Sequence, residues 1–550
     1  MSLPSRLNRI LPTIVLFLTI VISTAILYGP GLDYPFFFDD YNSLMNDQGQ
    51  VSSMITSPAP ALHDLRTYPL RPDRSLTWLS FAISYKLKQM SPAAFRIVNF
   101  GLHGLCSFLV YLIIALLLFR HIPATDPGAK RSNLSPICWP ALFGALFFLC
   151  HPLALNTVLY ISQRFGAQAA FFYLLGFYAW LMGRRRDSEI SLSSRQVLWF
   201  LLAGISYWAA LHSKEMAITL PLTITVYELY LRQPRPGDRK KLFWLGGMLF
   251  LTGAIFFLFA FKIGLFNQSW INIGFRSKRL WSPGIQFLSE ARAFFHYWQM
   301  LFLPWPQSLS LHHEFLPSPG FSDPAALVAI MGHTILIAAA WKIRRHYPLA
   351  GYGILWFYLV LGPPYLFLPQ RELLVEYKTY LAAPGAIMLI GNLMAVTLRR
   401  IESLHEKNKN RARAGLLLFS AGWLLALSTI TWQRLPVFKN QITIWSDVLE
   451  KYPTSRRALN NRAVAHLKNK SPEGALNDLN TLVQNYPGYA RGFENRGRLR
   501  LYLKDYRGAA ADLQMTLKLL PDEPELKTTR NQIIRLYKMA REAAEKENFR

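Results

Sequence analysis

Eleven apolar runs of membrane-spanning length set the first constraint on this chain. They fall roughly at 10–29, 92–119, 137–155, 165–183, 196–212, 216–232, 243–263, 324–341, 350–368, 380–398 and 413–431. About 20 apolar residues in an α-helix cross a hydrocarbon layer about 30 Å thick. Inside that layer the backbone must satisfy its own hydrogen bonds, so such runs are expected to be helices. The 550 residues are 52% hydrophobic and only 17% charged, which points to a polytopic membrane protein and away from a soluble enzyme. The expected fold class is all-α.

Charge orients the runs. The formal net charge of +28 sits mostly in short segments: Arg120–Arg131, Arg184–Arg186, Arg232–Lys241, Lys342–His346 and Arg399–Arg413, with Arg6 and Arg9 ahead of the first run. These segments alternate with the other loops. Placing all of them inside predicts eleven spans, an internal N-terminus and an external C-terminus. The charge then reports topology and attracts anionic lipid. It forms no single stripe, so nucleic acid is not expected as a partner. The segment 287–303 is apolar but carries Glu290, Arg292 and His296. A span there would invert everything downstream, so it is read as an interfacial or re-entrant helix. The first run, Ile10–Tyr28, exceeds a typical signal core and reads as a retained span. Cys106, Cys138 and Cys150 offer neither a disulfide framework nor zinc spacing.

After Thr431 the composition changes to soluble helix, and the chain repeats. Pro453, Pro487 and Pro521 are 34 residues apart, and Asp478/Asp512, Leu479/Leu513 and Arg462/Arg496 keep the same spacing. A period of 34 with small residues at helix contacts is the tetratricopeptide signature. The chain therefore divides into a membrane domain, 1–432, with external loops 30–91 and 264–323, and a repeat domain, 433–550. The repeat domain holds units at about 454–487 and 488–521 and a capping helix at about 524–543. Such arrays bind peptides or partner proteins; the plainer role is to brace the membrane domain.

The charge-derived topology puts the unusual polar motifs on the outer side. They are Asp39-Asp40, Arg71, "HPLALN" at 151, "QRF" at 163, "HSKE" at 212, "LHHE" at 311 and "RELLVEYK" at 371. Polar groups are costly near hydrocarbon, so their convergence points to a site. Phe36-Phe37-Phe38 would pin the acids at the interface, where one accepts a proton from an attacking hydroxyl. Arg71, Arg74, Arg164, Lys214, Arg371 and Lys378 suit a phosphate or pyrophosphate; for Arg74 and Lys378 interfacial snorkelling is the plainer role. His103, His151 and His212 are candidate hydrogen-bond donors, without the spacing of a metal site. His312-His313 and Glu314 are candidates to flank an acceptor. No cofactor is certain; a divalent cation, Mg or Mn, shared through the oxygens of Asp39 and Asp40 is the one candidate. No Gly-rich phosphate loop or GxSxG elbow occurs, so a membrane-borne donor is expected over a soluble nucleotide.

Taken in order, "FFFDDYN" (Phe36–Asn42), "RPDRSLTWLSFAISY" (Arg71–Tyr85), "FRIVNFGLHGL" (Phe95–Leu105), "HPLALNTVLYISQR" (His151–Arg164), "HSKEMAITLPLTITVYE" (His212–Glu228), "GILWFYLVLGPP" (Gly353–Pro364) and "VEYKTYLAAPG" (Val375–Gly385) resemble the transmembrane-and-tetratricopeptide-containing O-mannosyltransferases and their bacterial relatives. That resemblance covers nearly the whole chain. It implies a GT-C glycosyltransferase of about eleven membrane helices, using a polyprenyl-phosphate-linked sugar, with an acid of the first external loop near the catalytic centre. By position, Asp39 and Asp40 match the family's paired acids. Arg71, His103, Lys214, Glu215 and Glu376 match its recurring polar positions. Bacterial members often read Val-Glu-His-Arg-Leu-Tyr-Leu-Pro where this chain has Val375-Glu376-Tyr377-Lys378-Thr379-Tyr380-Leu381-Ala382. A phosphate role there rests on Lys378.

The expectation is a multi-pass transferase of a bacterial inner membrane, its repeat domain periplasmic. It moves mannose or another hexose to a Ser or Thr hydroxyl of an exported protein bound near the repeats. Asp39 or Asp40 is the base, Asp39 slightly preferred; Arg71, Lys214, Arg371 and Arg164 hold the lipid phosphate. His103, His151, His212, Glu215, Glu376 and Lys378 support them. Two alternatives stay open: a lipid or glycan acceptor, and a non-catalytic scaffold for secretion or pilus assembly.

Overall fold

The computed structural model describes residues 3–45, 51–67, 74–121, 138–184, 193–232, 247, 281–367, 370, 372–521, 523 and 526–548, with backbone alone for 3–10, Asp39, Asn42, Thr67, Phe367 and Asn548. Arg71, Arg371, the side chain of Asp39 and most of the run 243–263 lie outside that description. The regular elements among the described residues are all helices, with one isolated bridge between Met45 and Val51. They form two compact units, 1–309 with 315–435, and 310–314 with 436–550.

In the first unit helices lie over each predicted run that the described residues cover. They are α1 (Leu3–Tyr28), α6 (Pro92–His121), α7 (Trp139–Cys150), α8 (Ala154–Leu159), α9 (Arg164–Gly183), α10 (Ser194–Leu211), α11 (Leu220–Tyr230), α13 (Pro324–Ile343), α14 (Pro348–Phe367), α15 (Ala383–Glu402) and α16 (Glu406–Arg434). Short helices α2 (Asp39–Leu44), α3 (Ser53–Thr56), α4 (Ala59–Thr67) and α5 (Ser75–Lys88) fill the first long loop. Six helical stretches among the described residues are long and apolar enough to cross a membrane: Leu11–Gly31, Pro92–His121, Ile161–Gly183, Pro324–Ile343, Pro348–Leu366 and Glu406–Lys439. Burial sorts them. At least 61% of the apolar window is buried in the second, third and fifth of these, against 28% or less in the others, which turn rows of Leu, Ile and Val outward. The former make the centre of the unit and the latter its rim.

Small residues let the central helices touch. Gly353 of α14 and Gly385 of α15 meet face to face, and a Cβ on either would be driven into the other's carbonyl oxygen. Close backbone approach of this kind is how small residues join helices in apolar surroundings. Pro363 and Pro364 each lack a backbone N–H, and α14 ends within a turn of them. The ambiguous segment 287–303 lies in a continuous helix, α12 (Pro283–Phe302), packed on α13 and α14. It is not among the apolar spans. Its charges are paired within the unit, Glu290 to Lys378 (2.9 Å) and Arg292 to Asp323 (3.3 Å).

The second unit is a row of helices, each packed on the next: α17 (Gln441–Lys451), α18 (Arg456–Lys468), α19 (Pro472–Asn485), α20 (Ala490–Tyr502), α21 (Tyr506–Leu519) and α22 (Lys527–Asn548). The 34-residue period recurs as geometry. Arg462 donates to Asp478 from Nε (2.9 Å) and Nη2 (2.7 Å); Arg496 meets Asp512 at the same two distances. Their third donors reach Ser446 Oγ (3.2 Å) and Asn480 Oδ1 (3.0 Å), again 34 residues apart. Residue 446 lies in α17, so the periodic contacts begin one helix before the first sequence unit.

Candidate functional site

The first external loop is held by its aromatics and by α6. Phe36 packs edge-on against Phe95 (centroids 5.9 Å apart) and Phe37 stacks on Tyr160 (5.2 Å), both rings buried. Arg96 of α6 is fully buried and donates to four carbonyls: Leu159 (2.9 Å), Leu32 (3.2 Å), Pro35 (2.6 Å) and Tyr34. Phe38 then adopts φ 52°, ψ −121°, a backbone state costly for a residue with a side chain, and α2 starts at Asp39.

Asp40 is fully buried. Its Oδ1 accepts from the Ser162 N–H (2.7 Å) and its Oδ2 from the Phe37 N–H (3.3 Å). Burial pushes its carboxyl up to about 7; the Ser162 N–H, the Arg96 charge and the Phe37 N–H pull the other way. Asp40 thus ties the loop to the turn Ile161–Gln163 and presents no open oxygen to a hydrated Mg or Mn. Among the described residues no group of three His, Cys, Asp or Glu is placed to hold a metal ion.

That same turn leads into α9, whose start borders the candidate cations. A Cβ on Gly166 would lie 3.7 Å from Lys214 Nζ, and Arg74 lies over the Phe165 ring at 5.2 Å. Arg74 and Glu215 form a forked pair, Nη2 to Oε1 at 2.8 Å and Nε to Oε2 at 3.2 Å. Lys214 is partly exposed and makes no ion pair among the described residues; its Nζ sits 5.0 Å from the Tyr377 ring centroid. Burial, opposed by Glu215 and reinforced by Arg74 and Lys378, lowers its ammonium to about 8. An anion beside Lys214 would reverse that cost. Asp40, Arg74, Glu215, Lys214 and Tyr377 are therefore gathered around residues 161–166.

Other candidates have structural partners instead. Arg164 is fully buried, donating to Asn99 Oδ1 (3.0 Å), Ser80 O (3.0 Å), Ser84 Oγ (3.0 Å) and Phe95 O (2.6 Å), with its guanidinium 4.4 Å from the Phe81 ring. With its donors so engaged and no exposed edge, it braces α5, α6 and α9, a correction to its expected phosphate role. Lys378 is likewise buried, and its three N–H groups go to Glu290 Oε1 (2.9 Å), Glu372 O (3.0 Å) and Leu373 O (3.0 Å), leaving none for a phosphate. That corrects the reading of Lys378 as a phosphate ligand or a snorkelling cation.

Buried Glu376 accepts from Asn156 Nδ2 (2.6 Å). His103 is fully buried, with Nδ1 2.8 Å from Tyr380 Oη and Nε2 3.1 Å from Leu149 O. His151 is buried, donates from Nε2 to Leu301 O (3.1 Å) and accepts at Nδ1 from the Leu153 N–H (3.3 Å). His212 is buried with its ring 4.7 Å from that of Trp208. His312 and Glu314 belong to the second unit, where Ser455 Oγ donates to Glu314 Oε1 (2.5 Å).

Sequence reasoning passed over Arg96, Asn99 and Asn156, and noted Glu290 only as a charge on segment 287–303. For α6 a signal existed. Arg96, Asn99, His103 and Ser107 interrupt an apolar span at helical spacing, and all four are buried on its inner face. Asn156 lay inside a quoted motif with nothing to mark Glu376, 220 residues away, as its partner.

No family model matches the chain. Mouse Protein O-mannosyl-transferase TMTC4 is 26% identical over 246 residues, covering 40% of this chain and 32% of that protein. Mouse Protein O-mannosyl-transferase TMTC3 is 25% identical over 224 residues, covering 39% and 22%. The matched stretch thus spans a third or less of these relatives' length. Among solved structures, ArnT from Cupriavidus metallidurans bound to undecaprenyl phosphate shares 14% identity and a TM-score of 0.36, covering 93% of this chain and 81% of that one.

Proposed function

We propose that this chain, a relative of the transmembrane-and-tetratricopeptide-containing O-mannosyltransferases, is a membrane glycosyltransferase of GT-C type. It moves a hexose, mannose being the first candidate, from a polyprenyl-phosphate donor to a Ser or Thr hydroxyl of an exported protein. The observation that carries this reading is the shared turn 161–166: an anchored acid of the first loop on one side and, on the other, Lys214, a cation that makes no ion pair among the described residues.

Asp40 holds the loop, and Asp39, its neighbour at the start of α2, is the base. As the acceptor oxygen attacks the anomeric carbon, Asp39 takes its proton. The bond from that carbon to the phosphate oxygen breaks, and its electron pair leaves with the lipid phosphate. Lys214, with Arg71 and Arg371, balances the charge that grows there. Glu215 spends its direct bonds on Arg74, so the Lys214 ammonium keeps its donors for the phosphate. The repeat unit presents the acceptor on the periplasmic face of a bacterial inner membrane.

The test is transfer in vesicles. Full-length protein is mixed with undecaprenyl-phosphate-linked mannose and a Ser/Thr-rich peptide, and peptide mass is followed. A hexose-sized gain supports the reading. Sugar appearing on lipid or glycan instead would move the acceptor class, and sugar retained on the donor would contradict the activity.

A further inference from the structure

Helix α12 has no part in the chemistry above, yet one face of it is bonded along its length to the segment that carries Tyr377. Gln286 donates from Nε2 to Tyr365 O (2.9 Å) and accepts at Oε1 from the Gln370 N–H (3.4 Å). One turn on, Glu290 accepts from Lys378 Nζ (2.9 Å). Two turns further, the Tyr297 hydroxyl accepts from the Val375 N–H (3.1 Å) and donates to Leu373 O (3.3 Å). Residues 286, 290 and 297 follow the helical repeat and share one stripe.

The Glu290–Lys378 pair is the costly member of that stripe. Both side chains are almost wholly removed from solvent, at 0% and 2% exposure, and Glu290 Oε2 has no hydrogen-bond partner among the described residues. Two apolar side chains would hold helix and segment together at least as well. What the ion pair adds is register. Lys378 bonds two successive carbonyls, Glu372 and Leu373, so its ammonium fixes how the chain folds back before the turn Glu376–Thr379. Tyr377 lies in that turn, against Lys214, while its neighbour Glu376 is bonded to Asn156.

We propose that Glu290 is a positioning residue: acting through Lys378, it sets the register of segment 372–380 and so holds Tyr377 over Lys214. The consequence for catalysis rests on Lys214 being the phosphate site. The positioning itself does not, and the experiment separates the two.

Full-length protein carrying Tyr377→Cys, Cys138→Ala and Cys150→Ala is treated with a thiol-alkylating reagent. Fully buried Cys106 is kept as an internal reporter of global unfolding. Adding Glu290→Gln or Lys378→Met is expected to speed reaction at position 377 about tenfold while Cys106 stays unreacted, as local opening predicts. The double change Glu290→Leu/Lys378→Met is expected to recover thermal stability, since no charge is left buried alone, yet to keep position 377 fast. An unchanged rate in the single variants, a Cys106 that reacts in step, or protection at 377 that returns with stability would each overturn the proposal. Binding of undecaprenyl phosphate to the chain with Tyr377 intact reads the other question: no binding by the parent would remove the phosphate site and leave the alkylation result standing.

Discussion

Asp40 has each carboxylate oxygen on a backbone N–H, and that separates it from Asp39. In Asp40→Asn one side-chain atom becomes a donor facing another donor, so a cost of about 1–3 kcal/mol is expected in thermal unfolding. The cost has a pH signature. Because the folded carboxyl is raised to about 7 from 3.8, the folded state binds more protons across that interval, and its stability falls as pH rises through it. The gap between wild type and Asp40→Asn should therefore be widest near pH 4 and narrow toward pH 8; a gap that widens would contradict the assignment. Lys214 runs differently. Its ammonium titrates at about 8, so binding of undecaprenyl phosphate should weaken as pH rises past that value, and Lys214→Met should remove the dependence and slow transfer about 10²–10³-fold. At this scale the sequence was only partly legible. It marked the acids and cations by type. It did not reveal that Ser162, 122 positions away, anchors Asp40, or that Arg164 and Lys378 are enclosed by their partners.

Helices were the more legible level, because an apolar run of span length has one way to satisfy its backbone. What the runs concealed was how polar residues join them. The stripe Arg96–Asn99–His103 reaches the first loop, the start of α9 and Tyr380, so one helix joins three distant segments. Gly353 and Gly385 also sat inside quoted motifs, and their contact explains them. Replacing either by Ala should destabilise by about 1–3 kcal/mol, read as a lowered melting temperature in detergent, whereas Gly101, with open space at its Cβ, should tolerate the change. In the second unit the 34-residue period became matching ion pairs. Arg462→Ala and Arg496→Ala should cost nearly the same, about 2 kcal/mol each, since the bonds lost are alike. Segment 287–303 resisted sequence reading because Glu290 and Arg292 look forbidding until their partners, Lys378 and Asp323, are known.

Across the whole chain the two units divide the proposed labour, the first for chemistry and the second for the acceptor. Removing 436–550 takes away the packing of residues 310–314, which belong to the second unit. The truncated chain should still bind undecaprenyl phosphate and lose transfer to protein; undiminished transfer would return the repeats to bracing. The period of the repeats made a change of architecture after Thr431 readable from the residues, and the second compact unit begins at 436 apart from residues 310–314. The convergence on turn 161–166 was not readable, because it joins four segments far apart in the chain. The claim that the first loop supplies the base is tested most directly by intact masses of exported proteins. Cells carrying wild type, Asp39→Asn or no chain are compared, with the amount of chain in the membrane checked. The account predicts a hexose-sized adduct with wild type alone. An adduct that persists with Asp39→Asn would contradict it.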